Sequence, residues 1–266
     1  MKIGIVGCAG RMGRMLLAQV LCTDGCELAG GTERPGHDSL GQDLGLLAGT
    51  DAIGLAAAED AGALFDASDA VIDFTGPDAI AGHGSLAAER GVALVVGTTG
   101  LDRPHLEALN LAARRTAVMQ AANMSVGVNL LLGLARQAAA LLGNDYDIEI
   151  MEMHHRHKVD APSGTALALG EAVAEARGVQ LDDAGIKVRD GMTGPRRRGD
   201  IGFASLRGGD VAGEHTVIFA TDGEQVLLTH KASSRTVFAA GAVNAALWCE
   251  GREPGLYTMR HVLGLD

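Results

Sequence analysis

The 266-residue chain has no run of eighteen apolar residues free of polar or charged interruption, so no segment reads as a membrane-spanning helix. It also lacks a surplus of positive charge: 22 lysines and arginines stand against 33 aspartates and glutamates, a formal net charge of −11. Sequence-independent attachment to nucleic acid or to an anionic membrane needs the opposite sign, so neither partner is expected. Cysteine is scarce and unpatterned. Cys8, Cys22, Cys26 and Cys249 form no C-x-x-C pair and no zinc spacing, and read as unpaired thiols in a reducing compartment. No charged-then-apolar leader precedes the first strand, so no export signal is expected and the expected location is cytoplasmic. Glycine is the opposite case, with 38 residues, about twice the usual ~7% share. Without any collagen-like period, this points to tight turns and close backbone approaches.

The amino-terminal half alternates apolar strands with helical stretches. Lys2 to Val6 reads as a strand and is followed at once by Gly7-Cys8-Ala9-Gly10-Arg11-Met12-Gly13. A helix from about Arg11 to Leu21 should bury Met12, Met15, Leu16, Val20 and Leu21. The spacing is G-x-x-G-x-x-G rather than the commoner G-x-G-x-x-G. Its physical requirements are unchanged: Gly7 for the tight turn, Gly10 for approach to a pyrophosphate, Gly13 for close packing of helix on strand. A second strand, Cys26 to Gly31, leads into Thr32-Glu33-Arg34, with Glu33 twenty residues beyond Gly13. A carboxylate there suits the ribose 2′-hydroxyl of NADH and the adjacent guanidinium the 2′-phosphate of NADPH, so use of both is expected. Pro35 to Ala58 reads as a glycine-rich loop. Strands at Ala70–Thr75, Ala93–Val96 and Thr116–Gln120, with helices at Pro77–Arg90 and about Arg103–Arg115, indicate a parallel sheet covered on both faces. Phe74, Thr75 and Gly97 to Thr99 lie at the carboxyl ends of strands, where ligands of such sheets bind, and should edge the nicotinamide.

The second half changes pattern. Ser125 is a candidate cap for a helix from Val126 to Leu142, with Leu130, Leu131, Leu134, Ala138 and Leu141 as its apolar stripe. Tyr146 to Met153 alternates like a half-buried strand and runs into His154-His155-Arg156-His157-Lys158-Val159-Asp160-Ala161-Pro162-Ser163-Gly164-Thr165. A helix follows, capped by Asp160 or Ser163, whose first N–H groups at Gly164 and Thr165 join Arg156 and Lys158 in a site fit for a carboxylate. An imidazole or a pocket lysine there can supply a proton near neutral pH. The arginine run Pro195-Arg196-Arg197-Arg198-Gly199 reads as a solvated or substrate-flanking loop. Three alternating runs, Ile201–Leu206, His215–Ala220 and Gln225–His230, the last two joined as a hairpin, give an α+β domain with a mixed, mostly antiparallel open sheet. Its open face is a place for subunits to meet. Arg235–Trp248 reads as a helix returning to the first domain through Val237, Phe238, Ala240, Gly241, Val243 and Leu247. The expected division is 1–125 with 235–266 against 126–234.

Other chemistries fit less well. A structural metal would rest on His155 and His157 sharing a strand face, with Asp160 as the one near anion and no near cysteine; no metal is expected. Ser163 lacks the G-x-S-x-G elbow of a hydrolase. A semialdehyde dehydrogenase needs a nucleophilic cysteine in the cleft, which no cysteine supplies. A non-catalytic NAD(P)H sensor would share the glycine turn but has no need of His154 and Lys158 beside a carboxylate clamp.

The segment Glu152 to Ala166 closely resembles the signature of the 4-hydroxy-tetrahydrodipicolinate (dihydrodipicolinate) reductase family of bacterial lysine biosynthesis. The likeness extends through Gly7 to Gly13, Thr32 to Arg34, Asp73 to Thr75, Gly97 to Gly100, Ala121 to Asn129 and Gly255 to Arg260, and so spans the chain. Met124 departs from it, since many members carry Phe there. The resemblance implies a Rossmann-type doubly wound α/β domain, a second α+β domain that binds substrate and assembles a homotetramer, and hydride transfer from NADH or NADPH to a cyclic dicarboxylate. Residue by residue, it implies His154 as proton donor or acceptor, Lys158 as proton donor, His155 as substrate ligand, and Gly164 with Thr165 as the carboxylate grip. Its cofactor contacts match Gly7, Cys8, Ala9, Gly10, Arg11, Met12, Glu33, Arg34, Gly97, Thr98, Thr99, Ala121, Ala122, Asn123 and Met124.

Overall fold

Strand β1 (Lys2–Val6) buries four of its five residues, as a strand covered on both faces must. The structure, a computed structural model, describes residues 1–265. After β1 come α1 (Arg11–Cys22), β2 (Glu27–Thr32), α2 (Leu44–Ala48), α3 (Ala61–Asp66), β3 (Ala70–Asp73), α4 (Pro77–Arg90), β4 (Ala93–Val96), α5 (Arg103–Ala112) and β5 (Ala117–Gln120). Then follow α6 (Val126–Leu142), β6 (Asp147–His154), α7 (Gly164–Ala176), α8 (Leu181–Ala184), β7 (Gly185–Ile186), β8 (Ile201–Arg207), β9 (Gly213–Thr221) and β10 (Glu224–Ala232). The chain ends with α9 (Thr236–Trp248), β11 (Gly255–Tyr257) and α10 (Met259–Leu263). Two compact units result: Met1–Val126 with the chain from Thr236 onward, and Gly127–Arg235.

In the first unit six parallel strands run in the order β2-β1-β3-β4-β5-β11. Alternate residues of each strand face opposite layers. Ile5, Ile72, Val95 and Met119 meet α1 and α9 on one side, whereas Val71, Leu94, Val96 and Val118 meet α3, α4 and α5 on the other. This two-sided burial is why the strands read as unbroken apolar runs. Strand order reverses at β1, and such a switch point opens a crevice at the carboxyl ends of β1 and β3.

Three expectations in this unit are corrected. Residues 35–58 are not all loop: Asp43 caps α2, and its carboxylate accepts N–H groups from Gly45 (2.8 Å), Ile53 (3.1 Å) and Gly54 (2.8 Å). A five-residue helix is too short to show a period. In α1 the buried row is Gly13, Leu16, Leu17 and Val20, whereas Leu21 is exposed. In α9, apolar on every side, the fully buried residues are mainly small: Ala239, Gly241, Ala242, Val243, Ala245 and Ala246. Val237, Phe238 and Leu247 stay half-buried because close approach to α1 and the sheet selects the small side. Strand β11 carries no strand signal of its own over three residues and forms by pairing with β5.

In the second unit the sheet order is β10-β9-β6-β8-β7. Long antiparallel ladders join β10 to β9 and β9 to β6, and parallel ones join β6 to β8 and β8 to β7. One face packs Ile148, Ile150, Phe203, Val217 and Phe219 against Leu131, Ala135 and Ala139 of α6 and Leu169 and Val173 of α7. On the other face Met151, Leu206 and Leu227 are exposed. The expected stripe of α6 is therefore only partly its buried face: Leu130, Leu134 and Leu141 point outward, because the helix is apolar along two sides. The arginine loop is largely exposed, as expected, Arg197 and Arg198 included, but Arg196 is half-buried and anchors it. Arg196 donates to Asp147 (2.8 Å), to Glu149 (3.1 Å) and to the Ile148 carbonyl (2.9 Å), Arg197 pairs with Asp200 (2.8 Å), and Arg198 pairs with Asp145.

Candidate active site

The glycine turn is fixed by local sterics. Gly7 adopts a φ of +69°, in the left-handed region that a side chain disfavours. N–H groups of Gly7 (2.8 Å) and Cys8 (3.1 Å) donate to the Thr32 carbonyl and tie the turn to the end of β2. A Cβ on Gly13 would strike the Gly7 carbonyl oxygen and lie 2.7 Å from two backbone carbons of Cys8. Gly10 stands at the start of α1 with no side chain above it. The amides of Arg11, Met12 and Gly13 belong to a first helical turn, which lacks intrahelical acceptors and favours an anion.

Beside this turn lies a cleft of about 640 Å³ lined by Gly7, Gly10, Glu33, Arg34, Phe74, Thr75 and His83. The Glu33 carboxylate accepts the Ala9 N–H at 2.8 Å, so the acid is anchored on the turn itself. Arg34 is exposed beside it. The Cys8 side chain faces inward, and burial, with help from Glu33, pushes its thiol up to about 11. Cys8 thus offers backbone only.

The far edge of the cleft is organised by Asp73, an acid to which the sequence alone assigns no role. Asp73, fully buried at the end of β3, accepts the Thr75 N–H (2.8 Å), the Thr75 hydroxyl (2.6 Å) and the Thr98 hydroxyl (3.2 Å), and pairs with His83 Nδ1 (2.7 Å). Burial alone would raise its pKa, but the bonds from His83 and Thr75 hold it below the ordinary range. Phe74 lies over Gly97, where a Cβ would strike its ring. Thr98 is turned inward and Thr99 outward. Ala121 donates to the Val96 carbonyl (3.1 Å), and Asn123 accepts the Ser125 N–H (2.9 Å). The Met124 side chain is in the core and its carbonyl abuts Gly241. A charged residue ending an apolar strand was the available signal for Asp73.

The second unit assembles the histidine cluster. Along β6 the buried row runs Ile148, Ile150, Glu152, His154, so the apolar face of the sheet turns polar at one end. Register extends this across four strands, setting His230 and His215 beside Glu152 and Ser205. Glu152 is 1% exposed. It pairs with both terminal nitrogens of Arg207 (2.8 and 2.8 Å) and with His154 Nδ1 (2.6 Å), and accepts the Ser163 N–H (3.2 Å). Desolvation works against its charge, yet bonds from Arg207, His154 and Ser205 outweigh this and keep its pKa below the ordinary value.

The strand stops at His154. His155 and Arg156 donate backbone N–H groups to Val211 (2.8 Å) and Gly209 (3.2 Å), and Lys158 closes a turn on His155 (3.1 Å). His155 and His157 therefore do not share a strand face. Among the described residues no group of three or more His, Cys, Asp or Glu is placed to hold a metal. Lys158 pairs with Asp160 (2.8 Å), whose carbonyl accepts from Arg207 (2.6 Å). Of the two cap candidates Ser163 is the one used: its hydroxyl accepts the Ala166 N–H (3.2 Å) and contacts His215 Nε2 (3.1 Å). Gly164 is exposed at the first position of α7, with nothing within 4 Å of where a Cβ would stand, and Thr165 follows it.

Arg235, unmarked in the sequence reading, lies 3.3 Å from His155 Nε2. Desolvation first, then Arg235 and neighbouring cations, lowers the His155 pKa and favours the neutral ring. The cluster thus unites Lys158, Arg235, a helix start and an imidazole at the rim of a buried ion pair. Such a set can grip carboxylates and exchange a proton.

Residues 1–124 match the family model described as Dihydrodipicolinate reductase, N-terminus, and residues 127–263 match Dihydrodipicolinate reductase, C-terminus. A 4-hydroxy-tetrahydrodipicolinate reductase of Ruegeria pomeroyi is 53% identical over 263 residues, covering 99% of this chain and 98% of its own. One from Parvibaculum lavamentivorans is 54% identical over 266 residues, covering 100% and 98%. Among solved structures, the dipicolinate-bound dihydrodipicolinate reductase of Paenisporosarcina sp. TG-14 shares the fold, with a TM-score of 0.76 at 24% identity over 97% of both chains.

Proposed function

The chain belongs to the dihydrodipicolinate reductase family, and from that premise we infer that it is an NAD(P)H-dependent 4-hydroxy-tetrahydrodipicolinate reductase. It reduces 4-hydroxy-tetrahydrodipicolinate to tetrahydrodipicolinate, with loss of water, in diaminopimelate and lysine biosynthesis, and accepts NADH and NADPH. The reduced nicotinamide supplies a hydride when bound. The cradle fits such a cofactor: Gly10 leaves space for a pyrophosphate, the first turn of α1 presents N–H groups to it, and Glu33 and Arg34 stand where a ribose is read.

The residue roles are our proposal. Gly7 to Met12 hold the pyrophosphate; Glu33 takes the ribose hydroxyls and Arg34 a 2′-phosphate; Gly97 to Thr99 and Ala121 to Met124 edge the nicotinamide. In the second unit the substrate is a cyclic dicarboxylate. Gly164 and Thr165 grip one carboxylate from the start of α7, and His155 and Lys158, with Arg235 nearby, bind the rest. His154 exchanges a proton, and Lys158 donates one to the ring after reduction. The observation that carries this reading is that the buried Glu152 joins His154 to the α7 start, while its partner Arg207 reaches the carbonyl of the exposed Asp160, which pairs with Lys158. We also propose a homotetramer, supported by the exposed apolar face at Met151, Leu206 and Leu227, and a cytoplasmic location.

The test is a coupled assay in which a synthase makes the unstable substrate in place and oxidation of NADH and NADPH is followed. Lys158→Ala should lose most of its turnover with NADH binding nearly unchanged. Equal loss of both would refute the role given to Lys158.

A further inference from the structure

A row of polar side chains interrupts the inner face of the second sheet just where His154 emerges. Glu152 is buried deepest in it, paired on one side with Arg207 and on the other with His154 Nδ1. We propose that Glu152 is a positioning residue for the reduction: it holds the His154 ring with its proton on Nδ1, so that proton exchange takes place at Nε2. This rests on the reading of His154 as the proton-exchanging group.

Three observations carry it. The bidentate contact with Arg207 keeps Glu152 ionised, and an ionised carboxylate only accepts hydrogen bonds. At 2.6 Å, His154 Nδ1 must therefore be the donor, which leaves the Nε2 lone pair as the exchangeable site in the neutral ring. The other groups facing His154 do not compete for Nδ1. His215, on β9, meets the His154 ring edge to face with centroids 5.1 Å apart and directs its own Nε2 to Ser163. Gly213, also on β9, leaves room for the ring, since a Cβ there would stand 3.1 Å from His154 Nε2.

Arg207 extends the arrangement to the second proposed proton carrier. It donates to the Asp160 carbonyl at 2.6 Å, and Asp160 pairs with Lys158 at 2.8 Å. One guanidinium thereby braces the supports of both His154 and Lys158. A buried ion pair adds little net stability over apolar packing of equal volume. Its place beneath His154 is accounted for by orientation.

The experiment compares Glu152→Gln, Glu152→Asp and His154→Gln with the wild type, using steady-state kinetics and the ring-nitrogen NMR signals of histidine-labelled protein. His154→Gln identifies the His154 signals. The wild type should show the Nδ1–H tautomer. Glu152→Gln, whose amide can donate to Nδ1, should lose it, with kcat falling by about 100-fold, the lower end of what a positioned proton carrier supplies, and KM for NADH unchanged. Glu152→Asp keeps the charge for Arg207 but withdraws it from His154, and should show a smaller loss in the same direction. A purely structural Glu152 would leave the tautomer alone, and that result overturns the proposal. If Glu152→Gln does not fold, the wild-type spectrum decides, because an Nε2–H tautomer there is fatal. If His154→Gln is crippled while both Glu152 variants turn over normally, this inference fails and the site reading stands. If His154→Gln turns over normally, both fail.

Discussion

Replacing Gly13 by alanine sets two effects against each other. Alanine favours a helix over glycine by about 1 kcal/mol, so propensity alone predicts stabilisation. Packing opposes it. The new Cβ would strike the Gly7 carbonyl oxygen and sit 2.7 Å from the Cys8 carbonyl carbon and Cα. All three are backbone atoms of the turn, with no rotamer to yield. Relief requires α1 to back away from the end of β1, and overpacking of this kind costs about 1–3 kcal/mol. Sterics should win, for a net loss of up to about 2 kcal/mol. The same shift carries the first-turn amides away from the pyrophosphate position, and a loss of about 1.4 kcal/mol there is tenfold in affinity. Gly82 is the control. It lies exposed in the middle of α4, with nothing within 4 Å of its would-be Cβ, so Gly82→Ala should stabilise by about 1 kcal/mol. Urea unfolding followed by circular dichroism measures the stabilities and NADH fluorescence titration the affinity. A Gly13→Ala protein as stable as wild type and binding NADH equally well would refute the close-approach argument.

Glu33→Ala should weaken NADH more than NADPH, because the carboxylate serves a free 2′-hydroxyl while Arg34 serves a phosphate; equal weakening in paired titrations would remove Glu33 from discrimination. His215 gives a pH dependence. Burial, then His154, lowers its pKa from 6.5 to about 4, so between those values the unfolded chain binds more protons than the folded one. Stability should hold above pH 6.5 and fall as pH drops toward 4, by about 3 kcal/mol in all. His215→Gln should flatten that slope in urea midpoints, and an unchanged slope would show that the ring is not held neutral.

Much of the fold was legible because its signals are local and repeated. β1, α4, β4 and α6 appear over the expected residues, since continuous apolar strands, Pro at a helix start and a long apolar helix each leave a direct mark. Which face of a helix is buried was less legible. α6 and α9 are apolar on more than one side, so the row that meets the sheet is set by shape, small residues facing the closest neighbour. α2 and β11 exist through Asp43 and through pairing with β5, contacts with no period to read. In the candidate site, the glycine turn and the histidine cluster are legible in the sequence because the residues of each are contiguous. Arg207 and Arg235 reach the cluster from 55 and 80 positions away, and Asp73 works through Thr98 and His83. No spacing announces such partners.

Asp73 acts as a rivet. One carboxylate clasps the rims that follow β3 and β4 and an imidazole from α4, so these three parts share a single fastening. Drift at His83, itself on the wall of the cleft, would then be felt along both rims at once, and only a residue able to offer a comparable donor could take its place without loosening them.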